Sequence, residues 1–593
     1  MTSDPSAPVR LDVDRAVGLR DVWAVAHGAP VALDPAVEAV LDARRAEIVA
    51  HIRATEEPAY GFNRGFGHNV NVAVPAERLA ELQLNLVRSH ACGMGPPAPR
   101  EVVRAAMFLR ARSLARGHSG VRAQVVRGLV DLLNHHITPV VPVYGSVGAS
   151  GDLAPLAHVA LALLGEGEAF APGQPAPVPA ARALAAAGLE PLALQMKEGL
   201  ALTNGVQFST AYGVLACLQL EVLLKTAAIA TALSCQVLLG SDAPFAAQLH
   251  ALRPHPGSRL LARWVRDLMR GSPMRQAHAS QALDWQVQDP YSLRCAAQVL
   301  GACHDLLADA RTTMEVEANS VTDNPLLLPD EAGRFTRVVS GGHFHGMPVA
   351  TRLYGLLSAA AVVAQLANLR CARYVDEDRN RGLGSDLIWP DLAPADRAAS
   401  SGMMIPEYVS AALTNAVWGT LAPSHLLSIG TDAGQEDHVS MSAGLAARLW
   451  DTLPRVADVL AIELAYASQA AAIRERSPAL ATERRLPEAV ARATDAARRA
   501  YLDALHQALD DPALQVHLEV RQSAAWTEAE RALSPPCAAV VALVRETVPV
   551  LTRDRSLSGE LRALSERVAE GEVVAAAERH VALGDEGNAV LRE

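Results

Sequence analysis

Several stretches of this chain carry alanine and leucine at i, i+3 and i+4 spacing for more than twenty residues: 206–239, 295–318, 347–375, 406–427, 440–477 and 486–508. A pattern that long exceeds an ordinary globular helix and favours a bundle of long, nearly parallel rods. Shorter helices are predicted over 75–92, 100–116, 122–136 and 155–164, and β-branched alternating runs are few and short. The expected class is therefore mostly α, with a long central helical bundle. A division into 1–205, 206–508 and a C-terminal helical extension, 509–593, is expected. Within it, two charged amphipathic helices are expected over 527–593, around Pro535-Pro536.

Two of the apolar stretches are long enough to be confused with membrane spans. Residues 208–240 contain Glu221 and Lys225, an i,i+4 pair on one helical face. Residues 354–372 contain Ser358, Gln365, Asn368 and Arg370. Both read as helices buried inside a large protein or oligomer, not as membrane spans. Over 593 residues, 50% are hydrophobic and 20% charged, which excludes a disordered chain. The balance of 53 basic and 64 acidic side chains, net −11, with no long basic run, argues against nucleic acid as a partner. The first residues lack an apolar core behind a basic tip, so no secretory signal is expected. Seven scattered cysteines without a CxxC pair read as buried small hydrophobes in a reducing compartment, and the expectation is a cytoplasmic protein.

The polar residues cluster in Gly- and Pro-marked loops, at 59–72, 139–152, 165–179, 286–290, 340–348, 376–402 and 428–438. Rigid helical frameworks commonly present reacting groups from such loops. In Tyr144-Gly-Ser-Val-Gly-Ala-Ser-Gly-Asp152 the bland reading is a flexible turn. The alternative is covalent. In a tightly folded loop the amide nitrogen of Gly151 reaches the carbonyl carbon of Ala149 and closes a five-membered ring. Loss of water from that ring and from the Ser150 hydroxyl leaves an exocyclic methylene, an electrophile no ordinary side chain supplies. Glycine suits the attacking position because it lacks a Cβ.

Here the sequence resembles the histidine and aromatic amino-acid ammonia-lyase family, and histidine ammonia-lyase in particular. The resemblance rests on eight motifs in matching order. They are Tyr60-Gly-Phe-Asn-Arg-Gly-Phe-Gly67, Asn85-Leu-Val-Arg-Ser-His90, Gly148-Ala-Ser-Gly-Asp-Leu153, Lys197-Glu-Gly-Leu-Ala-Leu-Thr-Asn-Gly205, Gln288-Asp-Pro-Tyr-Ser-Leu-Arg294, Glu317-Ala-Asn-Ser-Val-Thr-Asp-Asn-Pro325, Ser340-Gly-Gly-His-Phe-His-Gly346 and Gln435-Glu-Asp-His-Val-Ser-Met441. The resemblance implies a 4-methylidene-imidazole-5-one prosthetic group made from Ala149, Ser150 and Gly151. It also implies an N-terminal domain that carries this group, and a homotetramer whose active sites mix residues from different subunits.

Eliminating ammonia requires removal of a weakly acidic β-proton and departure of a poor leaving group, so an electrophile for the amine and a base for the proton are both wanted. By resemblance Tyr60 is the base, on a Gly-rich lid that closes over substrate; without that context a loop tyrosine is more often a surface anchor. Arg294 grips the substrate carboxylate through its planar fork, where the bland alternative is a surface ion pair. Tyr291 lies near the prosthetic group and substrate. Asn204 and Gln288 orient the imidazolone and the amine, and Phe344 packs beside them. Ser89-His90 and Gln435-Glu436 take the histidine-lyase form. An imidazole needs polar partners, and the Glu436 carboxylate accepts from its N–H. Tyrosine's hydroxyl also satisfies His90, so a tyrosine or phenylalanine lyase, or a 2,3-aminomutase, stays open. A catalytically silent homologue that binds a ligand or serves as a scaffold is the third reading.

Several positions depart from the usual histidine-lyase pattern: Arg64, His68, Val206, His343, Met347 and Gly434. His135-His136 and His343-x-His345 are tight histidine pairs without the Cys or carboxylate pattern of a zinc site, and no phosphate-loop or dinucleotide signature occurs. Neither a metal nor a nucleotide cofactor is expected.

Overall fold

A computed structural model describes residues 7–55, 58–65, 71–279, 288–476 and 527–584. It is mostly α, with long helices Gln207–Val237, Ala296–Ala318, Met347–Val375 and Ser442–Arg476. Three of these, all but Ala296–Ala318, are long and apolar enough to cross a membrane by length and composition. Their most apolar windows are 83%, 56% and 94% buried in the protein, in chain order. The chain forms two compact units, each discontinuous in sequence. The expected boundary at Gly205 falls inside the first, and the one near Ala508 lies outside the described residues.

The first unit comprises Met1–Leu218, Leu307–Leu357 and Ala422–Asp451. At its centre lies the helix Arg100–Ala115, buried along all but its first turn, with Leu19–Ala26 and Ala123–Asn134 packed against it. The helix Ala123–Asn134 buries Val125, Val126, Leu129, Val130, Leu132 and Leu133, the i, i+3, i+4 stripe that its sequence carries. Three arginines point inward from the central helix. Arg104 donates to the carbonyls of Val25 and Leu133, both at 3.1 Å, and Arg112 to those of Asp12 and Val13. Arg110 donates to the carbonyl of Asn204 at 2.8 Å and to Gln207 Oε1 at 2.9 Å. Burial pushes the Arg110 guanidinium down to about 10, and these carbonyl bonds are what make such burial tolerable. Small two- and three-stranded sheets edge the unit, including Met94–Pro97 antiparallel to Pro142–Tyr144.

The second unit comprises Gln219–Leu306, Ser358–Leu421 and Thr452–Glu593. Here the rods lie side by side. Arg370 and Glu463, both fully buried, form a two-bond ion pair at 2.5 and 2.9 Å, and Ser234 donates to the same Glu463 at 3.0 Å. Tyr374 stacks on Tyr466 at 5.7 Å and donates to Ser234. The helix Pro256–Met269 crosses Ala296–Ala318 at Gly257 and Gly301, where the two backbones touch. The expected i,i+4 pair is present: Lys225 lies 3.3 Å from Glu221 and equally close to Glu578.

Most predicted helices are observed within a few residues of their expected ends, with exceptions. The 406–427 prediction becomes Met404–Trp418, ending at Gly419, a poor helix former, ahead of Pro423, which cannot continue a helix. The 75–92 prediction splits into a 3-10 turn, Ala76–Arg78, and the helix Leu79–His90. Helices Leu19–Ala26, Pro35–Thr55 and Pro256–Met269 were not predicted. The C-terminal region holds three described helices, not two: Pro535–Thr547, Ser558–Ala569 and Glu572–Glu578. Prediction 486–508 lies outside the described residues. Not all cysteines are buried, since Cys92 is exposed and Cys295 half-buried.

Candidate active site

The loop after Pro142–Tyr144 is held from several sides. Val147 and Gly148 accept backbone bonds from Met441 at 2.7 Å and Gly346 at 3.1 Å, and Asp152 donates to Gly205 at 2.7 Å. Ser440 adds a hydroxyl bond to the Gly148 carbonyl at 2.9 Å. Asp152, fully buried, accepts from Ser146 at 2.7 Å and from the backbone and hydroxyl of Ser209, each at 2.8 Å. Burial raises its carboxyl above the usual range, and those same bonds oppose the rise. Gly151 has φ +81°, and a Cβ there would strike the backbone of Gly205. Only glycine fits this crossing.

Within this mould Ala149 is buried, and Asn204 donates from its amide to the Ser150 carbonyl at 2.7 Å. The Asn204 Oδ1 is buried without a hydrogen-bond partner. Ser150 donates its hydroxyl to Glu436 Oε1 at 2.5 Å. The other carboxylate oxygen of Glu436 accepts from Thr431. His90 ends the helix Leu79–His90, with the Ser89 hydroxyl 3.0 Å from its Nδ1. Burial pushes its imidazole below the usual value, opposed by the Leu86 carbonyl and by the charge of Glu436. Tyr60 sits on a turn that follows Pro35–Thr55, where Gly61 has φ +75° and Phe62 is buried with Ile48, Ile52, Ala59 and Leu327. Gln83 ties the turn down, donating to the Gly61 carbonyl and accepting from Leu200, both at 3.1 Å. Phe344 is half-buried in the loop that sends Gly346 to Gly148, while the Gln435 side chain is exposed beside Glu436.

The remaining predicted site residues form a second cluster, in the second unit. Arg294 donates to Gln288 Oε1 at 2.9 Å and to the Asp289 carbonyl at 2.8 Å, and its guanidinium lies 4.6 Å from the Tyr291 ring centre. Tyr291 is exposed. The Asp289 side chain is anchored by the Ser241 amide at 2.7 Å and by Arg381 at 3.3 Å. Sequence reasoning gave no role to Asp152, Ser209, Ser440 or Thr431. Asp152 and Ser440 stand inside quoted motifs, whereas Thr431 and Ser209 carry no sequence signal. His68 lies outside the described residues. Among the described residues no group of three His, Cys, Asp or Glu is placed to hold a metal.

The chain is mostly α, its Ala-Ser-Gly loop is gripped from four directions, and a carboxylate is aimed at its serine. Residues 17–499 match the aromatic amino acid lyase family. The chain belongs to that family and is an amino-acid ammonia-lyase by class. It is 46% identical over 453 residues to a histidine ammonia-lyase of Burkholderia lata, covering 76% of this chain and 86% of that one. The crystal structure of histidine ammonia-lyase from Trypanosoma cruzi superposes with a TM-score of 0.79 at 29% identity, covering 99% and 98% of the two chains. Tyrosine aminomutase from Streptomyces globisporus superposes with a TM-score of 0.81 at 30% identity, covering 98% and 100%.

Proposed function

We propose that this enzyme eliminates ammonia from L-histidine to give trans-urocanate, using a methylidene-imidazolone built from Ala149, Ser150 and Gly151. The observation that carries the reading is Glu436: a carboxylate reaching Ser150, within electrostatic range of His90, suits an imidazole ring. A phenyl ring offers neither group a hydrogen-bond partner, a loss that lets a polar pocket discriminate against it. The residues fit the prosthetic group. Gly151 is left-handed against Gly205, Ala149 is buried, and Asn204 presents an amide to the Ser150 carbonyl while keeping an unpaired oxygen.

When formed, the group supplies an electrophile that converts the substrate amine into a competent leaving group. The chain's own residues do the rest. Tyr60 takes the β-proton from a lid turn, Arg294 binds the substrate carboxylate, and Gln288 and Tyr291 orient substrate. Asn204 fixes the imidazolone carbonyl. Phe344 and Gln435 line the pocket, and Ser89-His90 with Glu436 read the imidazole.

The homotetramer with shared active sites and the cytoplasmic location belong to the same proposal. Supporting the assembly, the helix Met404–Trp418 exposes Ile405, Tyr408, Val409 and Trp418, an apolar stripe of the kind a second subunit covers. The likeness to a tyrosine aminomutase favours a second reading, a tyrosine-type lyase or 2,3-aminomutase. An ultraviolet scan with L-histidine, L-tyrosine and L-phenylalanine, each alone, separates them. Product absorbance growing with histidine alone is expected; growth with tyrosine, or a β-amino acid product, overturns the substrate assignment. Ser150→Ala is expected to lack the two-water mass loss on intact-mass measurement and to lose turnover by orders of magnitude. Full activity in that variant sinks the mechanism.

A further inference from the structure

We infer that Thr431 is a positioning residue that sets the direction of the Glu436 carboxylate, and so the preference for a substrate with a ring N–H. The inference rests on the proposed role of Glu436. That carboxylate is held between two hydroxyls, with Ser150 on Oε1 and Thr431 on Oε2, each at 2.5 Å. Two such bonds on opposite oxygens fix the plane of the carboxylate and its rotation about the side chain.

The bond to Ser150 involves a hydroxyl that prosthetic-group formation removes as water. Loss of that hydroxyl would free Oε1, and among the described residues Thr431 would then be the side chain still hydrogen-bonded to the carboxylate. The backbone is built around this one contact. Thr431 and Glu436 form an antiparallel bridge, with Thr431 N donating to Glu436 O at 2.9 Å and Glu436 N to Thr431 O at 3.3 Å. Closing so short a loop takes three consecutive left-handed residues, Asp432 (φ 48°), Ala433 (φ 54°) and Gly434 (φ 88°). Two of them carry a Cβ, at a cost of about 1–2 kcal/mol each. Gly434 falls at the position of largest positive φ in this turn, where glycine is without penalty. A strained turn persists only when its surroundings over-determine it. Here the surroundings include the hydroxyl bond at its base.

Threonine is the residue type that serves. Its hydroxyl donates without adding charge, so Glu436 stays an acceptor for the substrate, and its β-branch restricts χ1 so that the hydroxyl is held in place. Valine has the same shape without the donor. The test is a double-mutant cycle on the full-length enzyme with Thr431→Val, Thr431→Ser, Glu436→Gln and the Thr431→Val/Glu436→Gln pair. It is run with whichever of the three amino acids the wild type turns over fastest. Thr431→Val is expected to lose about ten- to hundred-fold in kcat, as for a misaligned reacting group. It should keep the two-water mass loss, and Thr431→Ser should recover most of the activity. In the Glu436→Gln background Thr431→Val is expected to have little further effect, since both act through one group. Equal kcat for wild type and Thr431→Val, or losses that simply multiply, overturn the inference. Unchanged activity of Glu436→Gln alone overturns instead the reading on which it rests.

Discussion

Replacing Glu436 by glutamine keeps the side chain's shape but exchanges one acceptor oxygen for a donor nitrogen. The groups that now meet it, the hydroxyls of Ser150 and Thr431, both donate to it. A hydrogen bond to a charged group contributes about 1.5–3 kcal/mol, so histidine turnover is expected to fall roughly ten- to hundred-fold. An apolar aromatic amino acid makes no such bond, and its slower turnover is expected to change little. Steady-state rates on both substrates check this; equal losses refute the pocket assignment.

At the scale of elements, the crossing of Pro256–Met269 over Ala296–Ala318 is set by two glycines. A Cβ on Gly301 would lie within 2.6 Å of the Gly257 carbonyl carbon and would also strike the backbone of Ser258. Neither neighbour is the end of a flexible side chain, so the helices must separate. Gly301→Ala is expected to destabilise the protein by about 1–3 kcal/mol through overpacking, read as a lowered Tm. The Arg370–Glu463 pair works by the opposite logic: its charges tolerate burial because they have partners, in two direct bonds and in Ser234 and Tyr374 around them.

For the whole molecule, acid is a specific threat. His278 is fully buried, and burial, reinforced by the cations Arg275, Arg381 and Arg474, pushes its imidazole down to about 3 from 6.5. Between those values the unfolded chain binds a proton that the folded one refuses. Stability is therefore lost as pH falls from about 6.5 toward 3. His278→Gln is expected to flatten that limb of a Tm-versus-pH curve, and an unchanged slope would rule out this histidine as its source. Such a group is invisible in sequence, because its surroundings come from segments far apart in the chain.

Legibility followed the range of the signal. The long helices were readable because an i, i+3, i+4 stripe is local, and Met347–Val375 was predicted to the residue. The helix Pro35–Thr55 was not, because its buried stripe of Val37, Leu41, Ile48 and Ile52 is sparse and interrupted by a buried Arg45. Within the site, motifs named Ser150, Asn204 and Glu436, whose chemistry is unusual for their position. Thr431 and Ser209 are commonplace residues in sequence, and acquire meaning only through what lies across the fold from them.

The grip on the Ala-Ser-Gly loop also has a place in time. Its mould is completed by Gly205, by Gly346 and finally by Ser440 and Met441, which leave the ribosome long after Ser150. A nascent chain lacks the last walls of this mould until nearly three hundred further residues have been added and folded back upon the loop. On the proposed chemistry ring closure would be a late act in the life of each molecule, and unreacted serine would mark chains that have been synthesised but have not finished folding.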